Sequence, residues 1–146
     1  MITPRATTTI GADPETVIRF IADPANAPLY MKALESSELI TPGPIGVGSQ
    51  FREVQSAGGE RIETICEVVE YDGATRYAWR SVSEGEAQYG GGFFASVSDA
   101  GTELRYEGWA TTTGRLAERE EAWGRQAQRE AEAELAAIKA ALEDTA

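Results

Sequence analysis

The stretch RLAEREEAWGRQAQREAEAELAAIKAALE, residues 115–143, sets how everything else in the chain must be arranged. Leu116, Glu120, Trp123, Ala127, Ala131, Leu135, Ile138 and Leu142 recur at steps of three and four, so they share one stripe of an amphipathic helix. Good helix formers lie between them, without proline, and Gly124 is the one weak position. Glu118, Glu120 and Glu121 open the segment and Lys139 lies near its end, the signs that the helix dipole prefers. At roughly 1.5 Å per residue this is a rod on the order of 43 Å long. A compact chain of 146 residues has an expected diameter of only about 38 Å. The rod therefore crosses the molecule, and something broad must cover its stripe. The second half of the stripe is aliphatic and alanine-rich, suited to close packing. The first half offers Trp123 and an acid, Glu120, which predicts a core that opens into a cavity at that end.

The covering element is legible upstream. Residues 3–10 are rich in Thr and Ile and read as a strand. Asp13-Pro14 then supplies an N-cap followed by proline in the first helical position, opening a short helix to about Ala22. Asp23-Pro24 repeats the device for a second short helix ending near Tyr30-Met31. Residues 34–40, 47–55, 61–71, 76–82, 87–97 and 103–111 read as strands. They are separated by Thr41-Pro42-Gly43-Pro44, Gly58-Gly59, Asp72-Gly73, Glu84-Gly85 and Asp99-Ala100-Gly101. Connections this short make sequential strands antiparallel neighbours. Glu63 and Glu67 alternate with Thr64, Cys66 and Val68, and Glu103, Arg105 and Glu107 with Leu104, Tyr106 and Gly108, so one face is wet and the other buried. The fold class is α+β in a single domain, residues 1–146: a curved antiparallel sheet of six to seven strands wrapped around the C-terminal helix, with two short helices after the first strand.

Composition narrows the function. With 24 acidic against 13 basic residues the net charge is −11, which argues against nucleic acid or an anionic membrane surface as partner. The first residues carry no apolar signal core and no run reaches a membrane-spanning length, so a cytoplasmic protein is expected. There is no histidine, which removes Ser-His and Cys-His catalytic pairs, a histidine-ligated haem and the usual zinc sites. No metal and no cofactor are expected. The single cysteine, Cys66, sits in an apolar strand pattern without a basic neighbour and reads as a buried, inert thiol. No spare apolar stripe for self-association is visible.

Ala12-Asp13-Pro14-Glu15-Thr16-Val17, Ala22-Asp23-Pro24-Ala25-Asn26, Thr41-Pro42-Gly43-Pro44-Ile45-Gly46-Val47-Gly48, Glu70-Tyr71-Asp72, Tyr77-Ala78-Trp79-Arg80 and Gly101-Thr102-Glu103-Leu104, in this order of elements, carry a family resemblance. The chain resembles the START/Bet v 1-like superfamily, in particular its bacterial polyketide cyclase/dehydrase branch, over essentially its whole length. The resemblance implies a helix-grip fold with a deep cavity for apolar small molecules. Its motifs are caps, turns and strand starts, so they specify scaffold and carry no catalytic residue with them.

Strand parity and the helical stripe supply the site candidates. Phe51, Tyr77, Trp79, Phe94, Leu104, Tyr106 and Trp123 are expected to face inward, with Tyr30 closing the mouth; any one of the aromatics alone reads first as plain core. Together their polar tips suit an oxygenated ring system. Glu120, four residues after Leu116 and three before Trp123, is the expected general acid or base, unless a part-turn rotation leaves it at a solvated edge and brings Arg119 inward. Tyr106 and Arg80 are the other catalytic candidates. Arg80, Arg52 and Gln88 are placed to reach a ligand carbonyl or enolate, and Glu53 shares the parity of Phe51. Gly90-Gly91-Gly92 lacks the helix and Lys or Ser of a phosphate loop and reads as a strand bend or bulge that leaves space for the pocket. The acid pairs Glu120-Glu121 and Glu84-Glu86 read as surface. The expected partner is a hydrophobic or aromatic small molecule. Three functions follow: cofactor-free aldol-type cyclisation and dehydration of a polyketide-like substrate, non-catalytic carriage or sequestration of an apolar molecule, and a protein-interaction module. An ionisable side chain inside the pocket separates the first from the others.

Overall fold

Seven strands in the order β1-β7-β6-β5-β4-β3-β2 form one antiparallel sheet in the computed structural model. The structure describes residues 1–57, 60–83 and 87–144, without the side chains of 56, 57, 60, 115 and 116. The turns expected at Gly58-Gly59 and Glu84-Gly85, the pair Glu84-Glu86 and the side chain of Leu116 lie outside the described residues. The strands are β1 (Arg5–Ile10), β2 (Leu34–Leu39), β3 (Gln50–Ala57), β4 (Glu60–Tyr71), β5 (Arg76–Ser81), β6 (Ala87–Ser98) and β7 (Gly101–Thr112). Strands β1 and β2 lie at opposite edges, and the chain between them crosses the inner face as α1 (Pro14–Ala22), a single 3₁₀ turn (Pro24–Asn26) and α2 (Ala27–Tyr30).

Both Asp-Pro starts work as the sequence predicts. The Asp13 carboxylate accepts from the Thr16 hydroxyl (2.6 Å) and backbone N–H (3.4 Å), and Pro14 occupies the first helical position. Asp23 accepts from the Ala25 N–H (3.0 Å) ahead of Pro24 and the 3₁₀ turn. The apolar face of α1 buries Val17, Ile18 and Ile21 completely or nearly so. At the β4–β5 turn one Asp72 oxygen accepts from the N–H groups of Ala74, Thr75 and Arg76, while Gly73 takes the left-handed conformation (φ 73°) that the turn requires.

Pairing fixes which side chains face in. Tyr71↔Tyr77↔Phe93↔Tyr106 form one row across β4 to β7, and Val68↔Trp79↔Gly91↔Gly108 form the next. Register shifts occur between Leu34 and Ser36 and between Val68 and Glu70, whereas β6 pairs with both neighbours without a shift. The Gly90-Gly91-Gly92 stretch is therefore not a bulge, and the space its glycines leave is occupied. A Cβ at Gly91 would lie 2.9 Å from the Tyr106 hydroxyl and 3.3 Å from the Trp79 ring. Glycine there lets these rings lie flat on the strand.

The C-terminal helix differs from expectation at its start. Gly114–Ala117 (α3) forms a separate turn, and α4 runs from Glu120 to Glu143. Arg119, at φ −110° and ψ 13°, leaves helical geometry and provides no capping oxygen. A backbone bridge between Ile2 and Ala110 brings the first residues beside this point, and Glu120 Oε1 lies 2.5 Å from the Met1 amino group. Further along, α4 is fastened to β1. Gln128 exchanges two hydrogen bonds with the Arg5 backbone (2.9 and 2.6 Å), Lys139 Nζ donates to the Thr9 carbonyl (2.5 Å), and Glu143 accepts from the Gly11 N–H (2.9 Å). Ala131, Leu135 and Ile138 are the residues of α4 buried in the core. Among the described residues no helix is long and apolar enough to cross a membrane.

Candidate functional site

The inner face of the sheet, the two short helices and the second half of α4 meet around one pocket. Its walls are Ile21, Ala22, Pro24 and Ala27 from the short-helix segment, Tyr30 and Met31 from the end of α2, and Ser37 from β2. Phe51 and Glu53 from β3, Tyr77 and Trp79 from β5, Phe93 from β6 and Glu134 from α4 complete it. Its empty space, open mouth included, is ≈ 390 Å³, of which ≈ 20 Å³ is room for water. The side chains thus nearly fill it.

The aromatic wall is continuous. Tyr77 and Trp79 stack with centroids 5.7 Å apart, Trp79 and Phe93 likewise at 5.7 Å, and Tyr30 meets Phe93 edge-on at 6.3 Å. The Tyr30 hydroxyl donates to the Ile21 carbonyl (2.9 Å), which ties the end of α2 to α1 over the pocket. Burial raises the phenols of Tyr30 and Tyr77, so both stay neutral hydrogen-bonding groups.

Two carboxyls face these rings. Glu53 is 3 % exposed. Its Oε1 accepts from the Cys66 thiol (3.3 Å). Burial raises its pKa, against the smaller opposing effect of that thiol. Glu134 makes no hydrogen bond or ion pair with a described residue. Burial, then the negative charges of Glu130 and Glu53, push its carboxyl up to about 8. No lysine or arginine lines the pocket. Cys66 itself is buried, and burial, with the charge of Glu53, holds its thiol protonated.

Of the side chains expected to bind a ligand, Tyr30, Phe51, Tyr77 and Trp79 line this pocket. Tyr106 lies behind it: its ring packs on Phe93 (5.1 Å) and Trp79 (6.4 Å) and covers Gly91 and Gly108. Phe94 points to the outer face, where the Arg105 guanidinium sits over its ring at 5.1 Å, and its neighbour Phe93 takes the inward place. Gln88 shares the outward parity of Phe94 and bonds to Ser81 Oγ (3.3 Å) and the Ser83 carbonyl (3.4 Å). Arg80 is exposed on the outer face and pairs with Glu67 at 3.5 Å; Arg52 on the same face pairs with Glu63 at 3.8 Å. Trp123 is half-buried near the start of α4 and Glu120 is paired with the Met1 amino group, both outside the pocket lining; Arg119 is exposed.

Sequence reading passed over Glu134 and Phe93 and gave Glu53 only as a matter of parity. The signal for Glu134 was present. It follows Ala131 by three and precedes Ile138 by four, on the edge of the stripe already recognised.

A family model described as polyketide cyclase / dehydrase and lipid transport matches residues 1–143. No curated protein sequence matches the chain. Among solved structures, TTHA0849 from Thermus thermophilus is 23% identical, with 99% of each chain covered and a TM-score of 0.82. The Zhui aromatase/cyclase from Streptomyces sp. R1128 is 19% identical over 97% of this chain and 93% of its own, with a TM-score of 0.75. Ara h 8.0201 is 16% identical over 97% of each chain, with a TM-score of 0.70. These likenesses establish the shared helix-grip fold. The match along nearly the entire sequence goes further: this chain belongs to the polyketide cyclase / dehydrase and lipid transport family.

Proposed function

We propose that the protein binds an apolar, oxygenated small molecule in this pocket and promotes its cofactor-free, aldol-type cyclisation with loss of water. The observation that carries the reading is the presence of two carboxyls, Glu53 and Glu134, inside an aromatic wall without a cation to hold them ionised. Burial raises both, Glu134 up to about 8, and a carboxyl that exchanges protons in that range is what acid–base catalysis requires. They take the roles that sequence reading gave to Glu120, Tyr106 and Arg80.

In the proposed step one carboxylate removes a proton from carbon next to a carbonyl. The resulting enolate carbon attacks a second carbonyl carbon, whose oxygen takes a proton from the other carboxylic acid. The new hydroxyl then leaves as water, taking a proton from one carboxyl while the other accepts the remaining α-proton, so both are restored. The rings of Tyr77, Trp79 and Phe93 hold the chain folded and keep bulk water out, and positioning of this kind supplies much of the acceleration. A protein of this kind works in the cytoplasm. The second reading, a carrier that leaves its ligand unchanged, draws on the same aromatic wall.

Native mass spectrometry of the protein from its own cells, wild type and Glu134→Gln, separates the two. A cyclised molecule on the wild type and its uncyclised precursor on the variant supports the enzyme. The same unchanged molecule on both removes catalysis and leaves the carrier.

A further inference from the structure

The acids of this molecule fall into two populations. On the outer face of the sheet they stand beside arginine: Glu67 with Arg80 (3.5 Å), Glu70 with Arg76 (3.8 Å), Glu63 with Arg52 (3.8 Å) and Glu107 with Arg105 (3.5 Å). Inside, no lysine or arginine lines the pocket that holds Glu53 and Glu134, although Glu53 is nearly fully buried. A buried carboxylate without a counter-charge is costly, so in the free protein the pair holds on to a proton. An anionic ligand would add a third negative charge to the same space. A neutral one leaves the carboxyls as they are. A cation supplies what the pocket lacks.

We propose that this pocket takes an apolar amine in its protonated form, its nitrogen facing the carboxyls of Glu53 and Glu134 and its hydrocarbon lying on Tyr77, Trp79 and Phe93. The proposal rests on the reading that this pocket is the binding site, and it names the charge class of what enters. Ring faces attract the same cation that the carboxylates do, so the stacked Tyr77–Trp79–Phe93 wall and the two acids act together. The proton balance is definite: the amine arrives already charged, the carboxyl of the pair that is still protonated ionises on its arrival, and its proton goes to the buffer. The other titratable groups facing this pair are Glu130 on α4, Tyr30 on α2, Cys66 on β4, Tyr77 on β5, Tyr89 on β6 and Tyr106 on β7, and the Cys66 thiol stays protonated. The phenols remain neutral, and Glu130 adds to the preference for a cation.

The test uses three probes with one ring system and different heads: naphthylmethylamine, naphthylmethanol and naphthoate. Titration calorimetry on the full chain near neutral pH, in two buffers of different ionisation enthalpy, reads affinity and proton release together. The amine is expected to bind about ten-fold or more tighter than the alcohol, with proton release, and naphthoate weakest. Glu53→Gln and Glu134→Gln are expected to abolish the amine's advantage while the alcohol still binds. Should either variant fail to fold, the wild-type ranking and proton release decide alone. Alcohol or naphthoate binding as tightly as the amine overturns the proposal and leaves the pocket standing as a ligand site. Binding of none of the three overturns both.

Discussion

The two halves of α4 share one stripe and do different work. From Glu120 to Glu130 the helix lies at the surface: Glu120 meets the Met1 amino group, Glu121 pairs with Arg125 at 3.2 Å, and Trp123 is half-buried. From Ala131 onward Leu135 and Ile138 are core residues, and Glu134 beside them faces the pocket. Sequence reading placed the close packing and the cavity at opposite ends of the helix, with the cavity beside Glu120 and Trp123. In the structure both sit in the second half. A cavity in a protein of this size needs walls on every side, and the pocket walled by α1, α2, β3 and β5 takes Glu134 as its one lining residue from α4. The aromatic and acidic residues of the first half have no such enclosure, and what the stripe offers them is a seat at the edge.

The sharpest way to break this comparison is to truncate each half. Ile138→Ala, at 0 % exposure, is expected to cost about 3–4 kcal/mol in urea denaturation, as buried aliphatic truncations do. Trp123→Ala, only half enclosed, is expected to cost less than half as much. Equal losses would mean that the first half is as much a part of the core as the second.

Next in size is a pH effect. Glu134 titrates at about 8 in the folded protein against 4.5 unfolded, so the native state binds the extra proton between these values. Its contribution is therefore intact below pH 4.5 and is lost as pH rises toward 8. Glu134→Gln keeps the shape without the charge, so its stability should match wild type in acid. The full shift corresponds to about 5 kcal/mol. Because the side chain is only partly buried and solvent screens it, an excess on the order of 2 kcal/mol is expected above the folded pKa. Chemical denaturation at a series of pH values reads this directly. Parallel curves for variant and wild type would place Glu134 among the solvated acids.

The smallest expected effect belongs to the residue that sequence reading ranked first. Glu120→Gln removes an ion pair whose partner is a largely exposed amino group, so a loss of about 0.5 kcal/mol or less is expected. The bound molecule seen by native mass spectrometry should not change. A change in that molecule would restore Glu120 to the site and undo the distinction between the halves.

The outer and inner faces of the sheet teach a related lesson about legibility. Alternation correctly sent Phe51, Tyr77, Trp79, Leu104 and Tyr106 inward, because each sits in a strand where polar and apolar residues take turns. It failed at Phe93-Phe94, where two identical rings follow three glycines and local pattern gives no parity. The pairing of Phe93 with Tyr77 and Tyr106 chooses between them. Glu53 was legible by parity alone, since the strand that turns Phe51 inward must turn Glu53 inward too.

By itself the sequence determined the order and kind of the elements, because the signals act within a few residues: Asp13 and Asp23 cap the turns that follow them, Asp72 closes its own hairpin, and the apolar stripe of 131–142 repeats at the pitch of a helix. The tertiary structure decided where the pocket lies. Glu120 and Glu134 are 14 positions apart, close to four turns at about 3.6 residues each, so they project to nearly the same side, on the order of 21 Å apart along the axis. A helical stripe specifies which side of a rod is buried, and it carries no information about the depth of burial at each height. That depth comes from segments distant in sequence, the Asp-Pro helices, β3 and β5, which enclose Glu134 and leave Glu120 at the surface.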